Sequence, residues 1–250
     1  MSVLSYSNST TLLSSEESRA LRLAAFFTMT VTAFYPLLFL GAGFLILQLT
    51  GDFGIPDLST RAGLAYAGRF PTAATIGSLA DGFSHVAFFV TFVAVFAVLR
   101  RSFPVRATLI VVGAAWQLVV GFTKALTSVY IITSLGTLYL ATPLSGRAAF
   151  LPVGTLAQGL RQGLQDMDTY GVIAVWLLLA LLPAATGMPR LVRWLGVVMT
   201  IAILQPWWDF GFPLALLLAA VWAISLGLWL KRQAVTSSAT PISTAVATPS

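Results

Sequence analysis

Three ionisable side chains stand inside otherwise apolar stretches of the chain, where their types could support chemistry. They are Asp81, Lys124 and His85, the last being the one histidine among 250 residues. Insertion scales put the cost of a charged side chain at the centre of a bilayer at about 2.5–3.5 kcal/mol, so such groups face a bundle interior and pair with one another. Together they offer ion pairing, proton transfer and the binding of a charged ligand.

Helical spacing places these groups on two faces that can meet. Asp81 and His85 are four residues apart, so they share one face of a helix. Small and polar residues form a stripe on the next helix at spacings of four, four, three and four: Gly113, Gln117, Gly121, Lys124 and Ser128. Depths counted along the helices put Asp81 and Lys124 in the outer half of the membrane. We therefore predict an ion pair between two antiparallel helices, with His85 one turn deeper and bonded to Asp81.

Two interpretations of this group remain open. In the first, the ion pair satisfies its own charges and fixes the register of two helices. In the second, the group lines a polar pocket open to the outer face, with His85 at its floor and Asp81, Lys124 and Gln117 at its walls. One histidine and one aspartate are too few ligands for zinc, so we predict no metal site, and we predict no cofactor.

A short aromatic segment, residues 205–213, supplies the other candidate residues. It contains Trp207, Trp208 and Asp209 between two apolar stretches on the predicted outer side. Tryptophan gathers at membrane interfaces, so one interpretation is an anchor in the headgroup layer. The other is a lid, in which the two indoles cap the pocket and face a cation while Asp209 lies above Lys124. For an enzyme, Asp81 and Asp209 are the candidate catalytic residues.

The composition is that of a chain dissolved in lipid. Apolar residues make up 58% of it and charged residues 9%, whereas soluble domains are about half apolar and about a quarter charged. The net charge of +6 does not indicate nucleic-acid binding, because the basic residues lie at the ends of apolar stretches and form no patch. The absence of cysteine excludes disulfides and thiolate nucleophiles. The sequence also lacks a Gly-rich phosphate loop and a nucleophile elbow.

Six stretches are long and apolar enough to cross a bilayer about 30 Å thick as helices. We place these spans at residues 23–49, 72–99, 105–135, 169–187, 189–204 and 212–230. With the N-terminus inside, nine basic residues fall on the cytoplasmic side and four on the outer side. We therefore predict an all-α, polytopic transmembrane helical bundle over residues 20–232 with both termini cytoplasmic. The polar segments 1–19 and 233–250 are predicted to be disordered.

The second outer loop carries an amphipathic pattern over residues 148–165. Leu156, Leu160 and Leu164 recur at helical spacing, while glutamines and an arginine occupy the rest of the wheel. This pattern predicts an amphipathic helix that lies on the outer membrane surface.

The turn between the fourth and fifth spans carries the run MPRLVRWLGV at residues 188–197. It resembles the Leu-Pro-Arg-Trp-Leu-Gly turn of a broad bacterial family of small, uncharacterised six-helix integral membrane proteins, with a longer spacing between the arginine and Trp-Leu-Gly. The order of parts is also similar, including the basic turn LRR at residues 99–101 and two long outer loops. The resemblance implies six helices and the bacterial inner membrane, and it transfers no site residues.

The sequence leaves three functions open. The leading hypothesis is a membrane protein that binds or transports a small molecule or lipid through the polar pocket. The second is an intramembrane enzyme acting on an isoprenoid or another lipid, with an aspartate as general acid. The third is a structural subunit of a membrane complex or homo-oligomer, joined through helix faces of small residues. The predicted partners are the lipid bilayer and one of these ligands or proteins, and no nucleic acid.

Overall fold

The computed structural model describes residues 15–37, 57–204 and 208–236, and only the backbone at residues 73–74 and 208–213. Nearly all of these residues are helical, and none of them lies in a strand. The predicted all-α fold is therefore confirmed. Most of both predicted disordered tails lies outside the described residues.

Seven helices and two short 3₁₀ turns make up the described part of the chain. The helices are α1 (Ser15–Leu37), α2 (Arg61–Arg69), α3 (Pro71–Leu99), α4 (Pro104–Ala141), α5 (Phe150–Ala180), α6 (Arg190–Leu204) and α7 (Trp208–Thr236). The 3₁₀ turns are Leu144–Ala149 and Ala184–Thr186. Prolines stand at the first position of α3 and of α4, where a missing backbone donor costs nothing.

Four helical segments are long and apolar enough to cross a membrane: Ser15–Leu37, Thr75–Leu99, Pro104–Ala141 and Leu214–Thr236. Many of their large apolar side chains point away from the protein, for example Ile76 and Val119, which are 64% and 63% exposed. Polar side chains such as Thr91 and Gln117 are buried instead. This inverted pattern is typical of helices solvated by lipid, and it indicates a membrane location.

The start of the first described helix, α1, lies beside the end of the last one, α7. Ser18 near the start of α1 donates a hydrogen bond of 2.8 Å to the carbonyl of Ala234 near the end of α7. At the same end, Arg100 after α3 forms an ion pair of 2.8 Å with Glu17. We call this the terminal end of the bundle and the opposite one the distal end.

The main hydrophobic core fills the space between the long helices, and a second core lies at the distal end. The largest buried side chains of the main core include Trp222, Trp229, Phe92 and Met199. The second core joins α2 and the preceding turn to the distal parts of α4 and α5: Leu58, Leu64, Ala67, Ile132, Tyr139 and Ala157. The distal core holds α4 and α5 as a hairpin above the polar groups described below.

The short helix α2 begins in a tight hydrogen-bonded turn. The Thr60 hydroxyl caps the helix by accepting from the backbone N–H of Gly63 at 3.0 Å. The Asp57 carboxylate accepts from the backbone N–H and the hydroxyl of Ser59, at 2.9 and 2.7 Å. These two hydrogen bonds lower the pKa of the Asp57 carboxyl below its ordinary value. The turn is thus ordered by local polar contacts outside the membrane-spanning segments.

Residues 148–165 were predicted to form a separate surface helix, but they do not. Residues from Phe150 onward belong to α5, which continues to Ala180 without a break. No proline interrupts the chain between Pro152 and Pro183, so nothing stops the helix. Its leucine stripe faces away from the protein, with Leu156 76% and Leu160 53% exposed, while the opposite face packs inward.

Several helix ends differ from the predicted spans. α1 begins at Ser15, inside the segment predicted to be disordered, because Glu17 in its first turn pairs with Arg100 across the bundle. α7 continues to Thr236, four residues into the predicted C-terminal tail. It also begins at Trp208, so only residues 205–207 of the predicted aromatic loop lie between helices α6 and α7.

Candidate functional site

Asp81 and Lys124 meet between α3 and α4. Lys124 Nζ lies 2.8 Å from Asp81 Oδ2, and the lysine side chain is 7% exposed against 27% for the aspartate. The two side chains, which were predicted to lie at similar depth, are therefore in direct contact. The pair is inside the bundle, and its aspartate is the more open of the two.

A second carboxylate, Asp168 of α5, binds the same ammonium group. Lys124 Nζ donates to Asp168 Oδ2 at 2.6 Å and to Gln165 Oε1 at 3.2 Å. Asp168 was not among the candidate residues predicted from the sequence. The predicted group contained two basic side chains, Lys124 and His85, but one acidic side chain, Asp81. This excess of basic groups could have indicated that another carboxylate lies nearby.

His85 lies between two hydrogen-bond acceptors. Its Nδ1 is 2.7 Å from the backbone carbonyl oxygen of Asp81, and its Nε2 is 2.8 Å from Asp168 Oδ1. His85 therefore bonds to Asp81 as predicted, but through the backbone carbonyl of Asp81, and its carboxylate partner is Asp168. A carbonyl and a carboxylate both accept, so this arrangement calls for a proton on each ring nitrogen, which makes His85 an imidazolium cation.

Tyr35 of α1 adds a fourth helix to the arrangement. Its hydroxyl donates to Asp81 Oδ1 at 3.2 Å. The π-helical turn Thr28–Thr32 lies just before it, and Pro36 just after it removes one backbone donor. We call Tyr35, Asp81, His85, Lys124 and Asp168 the polar network.

Three threonine hydroxyls lie deeper on the same α1–α3 interface. Thr91 Oγ1 is 3.0 Å from Thr28 Oγ1 and 3.2 Å from Thr32 Oγ1. All three side chains are fully or almost fully buried. The interface thus carries hydroxyls at the π-helical turn and charges nearer the distal end.

Gly121 of α4 makes room for the His85 ring. A Cβ atom at this position would collide with the imidazole. The ring therefore reaches Asp168 across α4 only because residue 121 has no side chain. The stripe predicted on this helix, which includes Gly121, faces the bundle interior as expected, with Gln117, Lys124 and Ser128 all buried.

We expect Gly121→Ala to destabilise the protein by about 1–3 kcal/mol, because the added methyl overpacks the site and pushes His85 off Asp168. Gly163→Ala is the matched control, since a Cβ there meets nothing within 4 Å, and it should be neutral or stabilising by up to about 1 kcal/mol. Unfolding of both variants in one detergent, followed by tryptophan fluorescence, measures the difference. Equal stabilities would contradict the packing role of Gly121.

A cavity of about 740 Å³ opens beside the network between α1, α3 and α7. Its lining is mostly apolar: Met29, Thr30, Val31, Ala33, Phe34, Tyr35, Leu37, Ala80, Phe83, Ser84 and Ile224. Two polar lining residues contact Asp81, since Tyr35 bonds its carboxylate and Ser84 donates to its backbone carbonyl at 2.6 Å. The cavity is thus linked to Asp81 through these two lining residues, while Asp81 itself is not part of the lining.

Gln117, another predicted site residue, is not brought to this cavity. Gln117 is 3% exposed and packs beside Gly171 at the interface of α4 and α5, not among the cavity-lining residues. Trp207 lies outside the described residues. Trp208 and Asp209 belong to the first turn of α7, and only their backbone is described. The lid over Lys124 stays a prediction.

Among the described residues, no group of three or more His, Cys, Asp or Glu side chains has the arrangement of a metal site. The polar network contains two aspartates and one histidine, but Lys124 occupies the space between the two carboxylates. An ammonium ion thus holds the position that a cation would take.

No family model, curated protein or solved structure matches this chain. The resemblance to the small six-helix bacterial proteins stays a prediction. Fold and apolar helices define the class as an all-helical protein compatible with integration into a membrane.

Proposed function

We propose that this protein is a six-span membrane protein that binds or transports a small amphiphilic molecule or lipid. In this proposal the apolar body of the ligand occupies the cavity between α1, α3 and α7, and its polar end reaches Asp81. The distal end of the bundle faces outward, and both termini are cytoplasmic. The bacterial inner membrane is the proposed location, on the resemblance given above.

The arrangement of the helix ends supports this topology. The terminal end carries Glu17, Arg100 and Ala234 together, as an even number of crossings requires. α5 and α6 supply the two additional crossings beside the four apolar segments. α6 has 15 residues, which reach about 22 Å at 1.5 Å per residue and suit a short span.

One observation carries the binding proposal. The side chains of Lys124, Asp168 and His85 are 5–7% exposed, whereas that of Asp81 is 27% exposed and contacts Tyr35, which lines the cavity. A purely structural ion pair has no need of an open edge next to a cavity. The volume of about 740 Å³ also lies within the range of small-molecule sites, about 300–1,000 Å³.

The enzymatic alternative gains less support from the geometry. A general acid must present a proton to its substrate, whereas both Asp81 carboxylate oxygens accept hydrogen bonds, one from Lys124 and one from Tyr35. The structural-subunit alternative has no specific contact in its favour within the described residues. Binding is therefore the function that we propose.

We expect the substitution Asp81→Asn to abolish the stabilisation of the protein by its ligands. The test uses purified protein in lipid nanodiscs and three amphiphiles with the same dodecyl chain: dodecyltrimethylammonium, dodecanol and dodecanoate. At least one should raise the unfolding temperature of the wild type by several degrees, as binding to the folded state alone requires.

Asp166→Asn is the matched control, because Asp166 is an exposed carboxylate of α5 that accepts a hydrogen bond of 2.9 Å from Gln162. It should respond like the wild type. A wild type that none of the amphiphiles stabilises, or an Asp81→Asn variant that responds normally, would count against the proposed site.

A further inference from the structure

The charges of the polar network balance when both aspartates are ionised and His85 carries two ring protons. Asp81 and Asp168 contribute two negative charges, and Lys124 contributes one positive charge. The second positive charge is the imidazolium that the two acceptors around His85 call for. Without this proton, the described part of the network carries one uncompensated negative charge in a low-dielectric interior, which is costly.

The groups that face His85 come from three helices. Asp81 on its own helix α3 presents a backbone carbonyl. Asp168 from α5 presents a carboxylate oxygen. Lys124 from α4 shares that carboxylate with it, and Tyr35 from α1 donates a hydrogen bond to the Asp81 carboxylate. Asp168 is therefore the group on which His85 and Lys124 depend together.

Loss of the His85 proton changes the position of Lys124. A neutral imidazole would turn the lone pair of its Nε2 toward Asp168 Oδ1, and Asp168 would then have Lys124 as its one remaining cation. Lys124 Nζ lies 2.6 Å from Asp168 and 2.8 Å from Asp81, so a swing of the ammonium group that keeps its short contact with Asp168 would release Asp81. The freed carboxylate is the one that contacts Tyr35, a residue of the cavity lining.

We propose that the ligand is a lipophilic monovalent cation, such as an alkylammonium compound, and that its binding exchanges with the His85 proton. This inference rests on the proposed binding function and names the class of ligand. The cationic head pairs with Asp81, while the apolar body lies in the cavity. Phe34, Tyr35 and Phe83 in the lining offer aromatic faces to the cation.

The exchange conserves charge and breaks no covalent bond except one N–H bond. The proton leaves His85 Nε2 for solvent, its bonding pair stays on the nitrogen, and the ligand brings one positive charge to Asp81. The net charge of the network is zero before and after. The ligand cation and the proton therefore compete to supply the same positive charge, although the cation pairs with Asp81 and the proton is bound to His85.

The test measures binding of dodecyltrimethylammonium and of neutral dodecanol to the full-length protein in nanodiscs, with empty nanodiscs as the blank. In weakly buffered solution with a pH indicator, the wild type should release about one proton for each ammonium ion bound and none on binding dodecanol. In solutions acidic enough to keep His85 protonated, the affinity for the ammonium compound should fall by roughly tenfold for each unit by which the pH is lowered.

Variants separate this inference from the binding proposal. Asp81→Asn should lose ammonium binding, while Asp166→Asn, on the exposed face of α5, should retain the proton release. Equal binding of ammonium and dodecanol without proton release would overturn the cation exchange and leave the binding site in place. Failure of both compounds to bind the wild type would overturn the binding proposal as well. The wild-type proton count needs no variant, so misfolding of a variant leaves the inference testable.

Discussion

Replacing Lys124 by methionine is expected to cost about 3–5 kcal/mol of stability, the largest effect of any single change considered. Lys124 donates to two carboxylates, Asp81 and Asp168, at 2.8 and 2.6 Å. Methionine has a similar shape and no charge, so it leaves two carboxylates buried near each other without their shared cation. Removing one partner of a buried ion pair has a cost of this size because the remaining charge is uncompensated.

Unfolding of the purified variant in a fixed detergent, followed by tryptophan fluorescence, measures this loss. Lys231→Met is the matched control, because Lys231 lies exposed near the end of α7, and it should change the stability by less than about 0.5 kcal/mol. A Lys124→Met variant as stable as the control would mean that the network does not depend on its lysine.

Asp168→Asn is expected to cost about 3 kcal/mol, because Asp168 is the acceptor for two cationic groups. Its Oδ1 binds His85 Nε2 at 2.8 Å and its Oδ2 binds Lys124 Nζ at 2.6 Å. An asparagine keeps the size but places an N–H₂ group against one of these two donors, which leaves that donor without an acceptor. Asp166→Asn, on the exposed face of the same helix, is the control and should have little effect.

The double variant Lys124→Met/Asp168→Asn distinguishes charge from packing. Removing one positive and one negative charge together restores the balance, so the combined loss should be smaller than the sum of the two single losses by about 1–3 kcal/mol. Strictly additive losses would show that the two side chains are not coupled through their ion pair.

The contact between Asp81 and Lys124 could be predicted because it follows from two local quantities. Each helix was recognisable from its apolar run, and α3 begins and ends within one residue of the predicted bounds. The rise per residue then fixed the depth of both charges. Since charged groups in lipid must find partners, two such groups at one depth on neighbouring helices were expected to pair.

Asp168 was missed because the apolar pattern of α5 was interpreted for the wrong surroundings. Its leucine stripe was taken to bury itself against the membrane surface, which would leave the polar side in water. In the structure Leu156 and Leu160 face away from the protein, and the polar face with Asp168 packs against α4. Periodicity identifies an amphipathic helix, but it does not say whether lipid or protein covers its apolar face.

Tyr35 was missed for a different reason. Its contact with Asp81 depends on the direction in which the distal part of α1 presents its side chains. The π-helical turn Thr28–Thr32 changes that direction by inserting an extra residue into the helix. Such a turn is stabilised by packing and by the hydroxyl contacts to Thr91, which involve residues far apart in the sequence.

The protonation of the His85 ring tests the central claim most directly. His85 is the one histidine in the chain, so protein grown with ¹⁵N-labelled histidine in lipid gives ring signals from this site alone in solid-state NMR. At neutral pH both ring nitrogens should be protonated, and saturating dodecyltrimethylammonium should convert the ring to its neutral form with the remaining proton on Nδ1. A neutral imidazole at neutral pH without any ligand, or a spectrum that the bound ammonium ion leaves unchanged, would contradict the proton-loaded network.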